Sequence, residues 1–154
     1  MHSAFSQIIT LNQSSLIQLL GHASYIMYDL YKGNAEVAIM KESVGGSLDY
    51  KNSLYSLLNI DRNALIQING VAYNANEAGN LLWGMAIEYN SSLLDPNWLA
   101  EAGTRGRNDE PWEQRAISTG RAIGAKLKKA GAHFKERVLE ERLQHRNTSK
   151  SVWQ

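Results

Sequence analysis

The stretch ALIQINGVAYNANEAGNLLWGMAIEYN, residues 64–90, carries the strongest secondary-structure signals in the chain. Its first half alternates apolar and polar side chains as a half-buried β-strand does, and then reaches Asn69-Gly70. This pair favours a tight hairpin turn because both residues tolerate positive φ angles. The second half places large apolar side chains at helical intervals. We therefore predict a short β-hairpin over residues 65–73 that runs directly into a helix.

Apolar side chains also recur at helical intervals on both sides of this stretch. This spacing predicts a helix over residues 14–33, and further helices are predicted over residues 35–43 and 111–145. A short helix is predicted over residues 95–103, with Asp95 as its cap, Pro96 in its first turn and Gly103 at its end. Ser14 is the expected N-cap of the first helix, and residues 47–63 form a loop or a short helix. The last helix contains Gly120, Gly124 and Gly131. Each interior glycine costs roughly 0.5–1 kcal/mol relative to alanine, so we expect close packing or a break at these positions.

Length and composition indicate one globular domain. The chain has 154 residues, of which 44% are hydrophobic and 20% are charged. We divide this domain into N-terminal helices (1–44), a core that carries the motifs (45–124) and a basic C-terminal helix and tail (125–154). The expected fold class is mainly α, of the α+β kind, namely a compact helical domain with one small β-hairpin.

Cysteine is absent, which excludes disulfide bonds and thiolate chemistry. This absence suits the reducing cytoplasm, and it equally suits a protein that works in an oxidising compartment without mispairing. No apolar run reaches the ~18 residues of a membrane span. The first residues lack the basic start and the cleavage site of a signal peptide. We therefore expect no membrane span, and we expect export from the cell to need a dedicated secretion apparatus.

Positive charge is concentrated near the C-terminus. Residues 121–150 contain nine Lys or Arg and three Glu, although the whole chain has a net charge of only +1. Such a run is typical of a solvated helix face, but it also suits contact with RNA, an anionic polymer or an acidic partner.

Known metal and cofactor motifs are missing from the sequence. No two histidines are spaced i, i+4, and the chain has no HExxH, GxGxxG or Walker motif, so we expect neither a metal nor a cofactor. The carboxylates are stronger candidates. In GGSLDYK, residues 45–51, Asp49 and Lys51 share one face if the segment is extended, and the ammonium group can hold the carboxylate ionised. The simpler interpretation is a surface ion pair worth ~0–1 kcal/mol.

Two further segments place polar side chains where helices begin. In NANEAGN, residues 74–80, Glu77 and Asn80 precede Trp83, whose indole could form the floor of a cleft. Glu77 is equally well explained as a helix cap. Asp109 and Glu110 precede Pro111 at the predicted start of the last long helix, where acidic residues are ordinary capping groups.

Three segments in this order resemble the bacterial polymorphic toxin type 44 family. They are LDYK, NANEAGNLLWGMA and DEPWEQRAISTGRAIG. The matching positions are Asp49 and Lys51; Glu77, Gly79, Asn80 and Gly84; and Asp109, Pro111, Ile117 and Gly120. The resemblance covers residues 45–124. The sequence departs from the family pattern at Leu81-Leu82, where the family has an aromatic residue after Gly-Asn.

The resemblance implies an effector toxin that is used between bacteria. Such a protein is made in the cytoplasm, carried into a target cell by a component of a secretion apparatus, and blocked by a cognate immunity protein. Members of this kind are interpreted either as ribonucleases or as cell-wall hydrolases.

The residue types favour hydrolysis of peptidoglycan glycan strands. A metal-independent ribonuclease needs groups such as a histidine pair to move protons, and the three motifs contain no histidine. A glycosidase needs one acid that donates a proton, one that stays ionised, and amides and aromatics that seat sugars. The predicted catalytic residues are Glu77 as proton donor, Asp49 with Lys51, and Asp109. The predicted substrate-binding residues are Asn80, Trp83, Glu110 and Gln114.

On this interpretation the target is peptidoglycan in the periplasm of the attacked cell. Two alternatives stay open. The first is a ribonuclease toxin that acts on RNA in the target-cell cytoplasm, which the basic C-terminal region favours. The second is an adaptor or regulator without enzymatic activity.

Overall fold

The structure, a computed structural model, describes residues 7–96 and 110–152. Helices dominate it, as the sequence predicts. The first half of the chain contains β1 (Ile8–Thr10), α1 (Gln13–Ser24), a π-helical turn (Tyr25–Leu30), α2 (Ala35–Glu42), α3 (Tyr50–Leu58), β2 (Leu65–Ile68) and β3 (Val71–Tyr73). The second half contains α4 (Ala75–Tyr89), a 3₁₀ turn (Ser91–Leu93), α5 (Pro111–Lys128) and α6 (Ala132–Val152). Most of the predicted helix over residues 95–103, and all of Asp109, lie outside the described residues.

The predicted hairpin is confirmed. Strands β2 and β3 pair antiparallel, with Ile66 opposite Tyr73, and Asn69 and Gly70 turn the chain at φ angles of 51° and 81°. Positive φ at both central residues is the hairpin geometry that Asn-Gly favours. A strand that the sequence analysis does not predict, β1, pairs with β2 in parallel and makes the sheet three-stranded. Three residues are too few to show alternation, so β1 leaves no periodic signal.

Helix α4 lies at the centre of the core. It follows the hairpin directly, and the Asn74 side chain caps it by accepting a hydrogen bond from the backbone N–H of Glu77. Leu81, Leu82 and Met85 are fully buried along it. The sheet, α3 and α5 all pack against α4, so this helix fixes the position of every element that carries a candidate site residue.

Glycines set the distance between α4 and α5. A Cβ atom on Gly120 would collide with the backbone oxygen of Leu81, and one on Gly124 would lie 2.5 Å from the oxygen of Met85. Both glycines therefore mark close packing inside α5 and do not break it. The break falls at the third candidate instead, because α5 ends at Lys128 and α6 begins after Gly131.

The N-terminal helix differs from its prediction at the first turn. Asn12, and not Ser14, is the N-cap of α1, because the Asn12 Oδ1 atom accepts the backbone N–H of Ser15 at 2.9 Å. Asparagine and serine are similarly good caps, so local preference does not decide between two candidates two residues apart. The predicted helix over residues 14–33 is divided in two, because α1 ends at Ser24 and a π-helical turn continues to Leu30. The helical segment ends before Gly33, whose φ angle is 85°.

Part of the basic C-terminal region is used to hold α6 against α1 and the π-helical turn that follows it. Arg142 forms two hydrogen bonds with Asp29, from Nε at 2.8 Å and from Nη2 at 3.2 Å. The rings of His22 and His145 also meet between these helices, with centroids 5.3 Å apart. This part of the positive charge is therefore structural and not free for a ligand.

Acidification is expected to destabilise the fold through His22. Burial lowers the pKa of His22 to about 4 from 6.5, with His145 acting in the same direction and Glu42 opposing both. The unfolded chain therefore binds this proton more readily, so the free energy of unfolding falls as the pH drops below about 6.5. We expect a loss of about 2 kcal/mol between pH 7.5 and pH 5 from this residue. Urea unfolding at both pH values measures it.

The variant His22→Gln provides the control for this loss. It keeps a polar side chain of similar length but cannot titrate, so the part of the pH dependence that His22 causes should disappear, while His145, whose pKa is also lowered by burial, still contributes. An unchanged pH dependence in the variant would mean that other groups cause the acid destabilisation.

Candidate functional site

An open cleft of about 290 Å³ lies between the segment before α3, the N-terminal half of α4 and the first turn of α5. Four of the predicted site residues line it, namely Asp49, Lys51, Asn80 and Trp83. The other lining residues are Ser43, Val44, Leu48, Tyr50, Asn76, Gly79, Trp112 and Glu113. The cleft thus joins parts of the chain that are more than sixty residues apart.

Asp49 is the buried carboxylate of this cleft. It is 9% exposed and directly precedes α3. Its Oδ2 atom accepts hydrogen bonds from the backbone N–H of Gly45 at 2.9 Å and from the Asn52 side chain at 3.3 Å. Gly45 adopts a φ of 74°, a conformation that glycine reaches without strain, so the diglycine serves to wrap the chain around the carboxylate.

Lys51 lies in the first turn of α3 and not in an extended segment. Its side chain is exposed and lines the same cleft as Asp49. The structure, which describes both residues, contains no ion pair between them. The two residues therefore line one cleft although the segment is helical and not extended, and the surface ion pair that the sequence also allows is not formed.

Gly79 allows α3 to approach α4 closely beside the cleft. A Cβ atom at this position would lie 2.6 Å from the backbone nitrogen of Lys51 and 2.9 Å from its Cα atom. Such contacts are too short for any side chain, so glycine is required here for steric reasons. The same approach brings Lys51 next to the turn of α4 that carries Asn80.

Two indoles and two amides complete the lining. Trp83 is 6% exposed, and its Nε1 atom donates to the Ser43 hydroxyl at 2.8 Å, which fixes the ring as part of the cleft wall. Trp112, in the first turn of α5, is 36% exposed. The amides of Asn76 and Asn80 supply both donors and acceptors. The accessible indole of Trp112 beside paired donors and acceptors suits a neutral, hydroxyl-rich ligand.

Glu113 is a cleft carboxylate that the sequence analysis misses. It occupies the third position of α5, and its Oε1 atom accepts the backbone N–H of Glu110 at 3.4 Å. It is half-buried, and it lines the cleft beside Trp112. The sequence feature that could have identified Glu113 is its position within the third motif, in the segment PWEQ (residues 111–114).

The other predicted site residues lie elsewhere or are not described. Glu77 is half-buried and caps α4, where its Oε1 atom accepts the backbone N–H of Asn74 at 3.1 Å. It does not line the cleft. Glu110 is the exposed N-cap residue of α5, and Gln114 is exposed one turn later; neither lines the cleft. Asp109 lies outside the described residues.

Comparison of the chain with protein-family models, curated proteins and solved structures finds no match in any of the three. The resemblance to the toxin family therefore rests on the three motifs alone. Within residues 7–96 and 110–152, no helix is both long enough and apolar enough to cross a membrane. The same residues contain no group of three or more His, Asp or Glu side chains arranged to hold a metal ion.

Proposed function

We propose that this protein is an antibacterial effector that hydrolyses the glycan strands of peptidoglycan in the cleft of Asp49. The observation that carries the proposal is the composition of the cleft, which gathers two carboxylates, two indoles and two amides. Glycosidases of both stereochemical classes work with a pair of carboxyl groups across the scissile bond. Indole faces bind the apolar faces of sugar rings, and amides bind their hydroxyl groups.

The two carboxylates have different environments, which supports different roles. Asp49 is buried and accepts a backbone N–H, so it acts as the carboxylate that activates water or stabilises developing positive charge. Glu113 is half-buried at the cleft wall, where we assign it the role of proton donor to the leaving group. Glu77 keeps that role only as a prediction from the motif, because it does not line the cleft.

A ribonuclease is the second candidate, and the basic C-terminal region is the observation that favours it. The residues that line the cleft support a ribonuclease less well than the basic C-terminal region does. Lys51 is the only basic side chain, and histidine is absent, among the described residues that line the cleft. The two histidines that do meet, His22 and His145, are packed between α1 and α6.

The proposal includes the partners that such an effector needs. A component of a secretion apparatus delivers the protein to the periplasm of the target cell. A cognate immunity protein protects the producing cell, and covering the open cleft would be sufficient for inhibition. An adaptor without catalytic activity remains the outcome to be excluded.

Expression in two compartments of a bacterial host tests the proposal. We expect the wild-type protein to be tolerated in the cytoplasm and to lyse cells when a signal peptide exports it to the periplasm. Glu113→Gln, which keeps the shape but removes the proton donor, should lower glycan cleavage by about 10²–10⁴-fold. Glu77→Gln is the matched variant at the equivalent position of α4, and it should retain lysis.

The other outcomes are equally informative. Toxicity confined to the cytoplasm would contradict the proposal and favour the ribonuclease. No toxicity in either compartment would favour the adaptor. Lysis that is lost in Glu77→Gln and kept in Glu113→Gln would return the proton-donor role to Glu77.

A further inference from the structure

A second cavity, of about 360 Å³, lies at the opposite end of α4 from the cleft. It is bordered by the end of α1 with its π-helical turn, the end of α4, the end of α5 and one face of α6. Its charged lining residues are Lys128, Lys135 and Arg142. Among the described residues that line it, none is Asp or Glu. The cavity is therefore positively charged, and its volume is within the range of small-molecule sites.

Two of these three positive charges are not neutralised by the protein. Arg142 is paired with Asp29, and its guanidinium lies 4.4 Å from the centre of the Tyr28 ring. Lys128 donates to the Ser91 hydroxyl at 2.6 Å, which leaves two ammonium hydrogens free. Lys135 is exposed, and its ammonium group has no hydrogen-bonding or ion-pair partner in the described part of the chain. A ligand carrying two negative charges would balance the two lysines.

The neutral groups of the cavity include hydroxyls that can donate hydrogen bonds to a ligand. The oxygen of the buried Asn90 amide already accepts from the Ser24 hydroxyl, and its nitrogen donates to the Ala86 backbone oxygen. Burial raises the pKa of Tyr89, and the neighbouring Tyr28 raises it further. The Tyr89 hydroxyl therefore stays protonated and available to donate. Donors without competing carboxylates select for an anion.

We propose that this cavity binds a phosphate monoester attached to a flat ring, as in a mononucleotide. Lys128 and Lys135 hold the dianionic phosphate, and the Tyr89 hydroxyl donates to one of its oxygens. Val138 and Leu139 supply an apolar wall for the ring. The same chemistry is offered by a free mononucleotide and by the 5′-phosphorylated end of an RNA strand. The site is separate from the cleft and does not depend on the activity proposed there.

Calorimetric titration of the full chain tests the site with three probes: adenosine 5′-monophosphate, adenosine and inorganic phosphate. We expect saturable binding of the monophosphate with a Kd below about 1 mM at low salt. Inorganic phosphate should bind more weakly, and adenosine should not bind. The double variant Lys128→Gln/Lys135→Gln should weaken binding of the monophosphate by about tenfold to a hundredfold, because it removes two charge-assisted contacts.

Lys126→Gln/Lys129→Gln is the matched control, because it also removes two charges and because both lysines are exposed and neither lines the cavity. It changes the net charge without changing the site, so it should leave the affinity unchanged. Tyr89→Phe removes only one hydroxyl and should weaken binding several-fold. Equal loss in the Lys126→Gln/Lys129→Gln variant would show attraction by overall charge alone and would overturn the proposal, as would failure of the monophosphate to bind.

Short oligoribonucleotides with and without a 5′-phosphate distinguish the two sources of the ligand. Tighter binding of the phosphorylated strand than of the free monophosphate, with the same loss in the lysine double variant, identifies an RNA end. Tighter binding of the free monophosphate identifies a small-molecule ligand. Equal binding of both strands would show that internal phosphates are bound, and it would overturn the assignment of a terminal monoester.

Discussion

Replacing Gly120 with alanine is expected to lower the free energy of unfolding by about 3 kcal/mol, at the upper end of the usual cost of overpacking. The new methyl group would collide with the backbone oxygen of Leu81, which lies within a helix and cannot rotate away as a side chain can. Relief requires α4 and α5 to separate along an interface that Gly84 and Gly124 also keep close. The better helix propensity of alanine, about 1 kcal/mol, opposes this loss without cancelling it.

Gly131→Ala is the matched control for this prediction. Apart from Gly131 itself and its two neighbours in the chain, no described atom lies within 4 Å of the position that its Cβ would occupy, and its φ is not in the left-handed region. It should change the free energy of unfolding by less than about 1 kcal/mol. Urea unfolding of both variants under the same conditions gives the comparison. Equal stabilities would mean that α4 and α5 adjust to an added methyl group, and that close packing does not require the glycine.

The fold follows from the sequence wherever the signal is local. Asn69-Gly70 predicts the hairpin because only a few residue types adopt two consecutive positive φ angles. The glycines of α5 are ambiguous for the opposite reason. A glycine that breaks a helix and a glycine that admits another helix look the same in one sequence, and only the partner at Leu81 distinguishes them.

The candidate site is even harder to predict from local sequence than the role of these glycines. Glu77 and Glu113 each occupy the third position of a helix, and each completes a capping box with its N-cap residue. Local preference therefore explains both equally well. Only Glu113 lines the cleft, because α5 presents its first turn to the segment around Asp49. That arrangement depends on the packing of α5 on α4, which no short motif encodes.

Asp49→Asn is expected to reduce glycan cleavage by about 10²–10⁴-fold while the fold is retained. The substitution keeps the size of the side chain and one oxygen that can accept the backbone N–H of Gly45. It removes the negative charge that the proposed mechanism needs to activate water or to stabilise an oxocarbenium-like transition state. The free energy of unfolding should change by no more than about 1 kcal/mol, since the hydrogen bond to the loop survives. Release of soluble muropeptides from purified sacculi measures the activity.

Asp61→Asn is the matched control for Asp49→Asn. Asp61 also accepts a backbone N–H through its carboxylate, from Asn63 at 2.8 Å, but it is exposed and does not line the cleft. The two substitutions therefore remove the same charge and disturb the same type of loop contact, and they differ in burial and in access to the cleft. If both variants cleave sacculi as the wild type does, the cleft of Asp49 is not the active site. If both lose activity equally, the loss reflects net charge, and Asp49 has no special role. If only Asp49→Asn loses cleavage activity, and both variants are folded, the reaction depends on the carboxylate of Asp49, which the loop at Gly45 encloses.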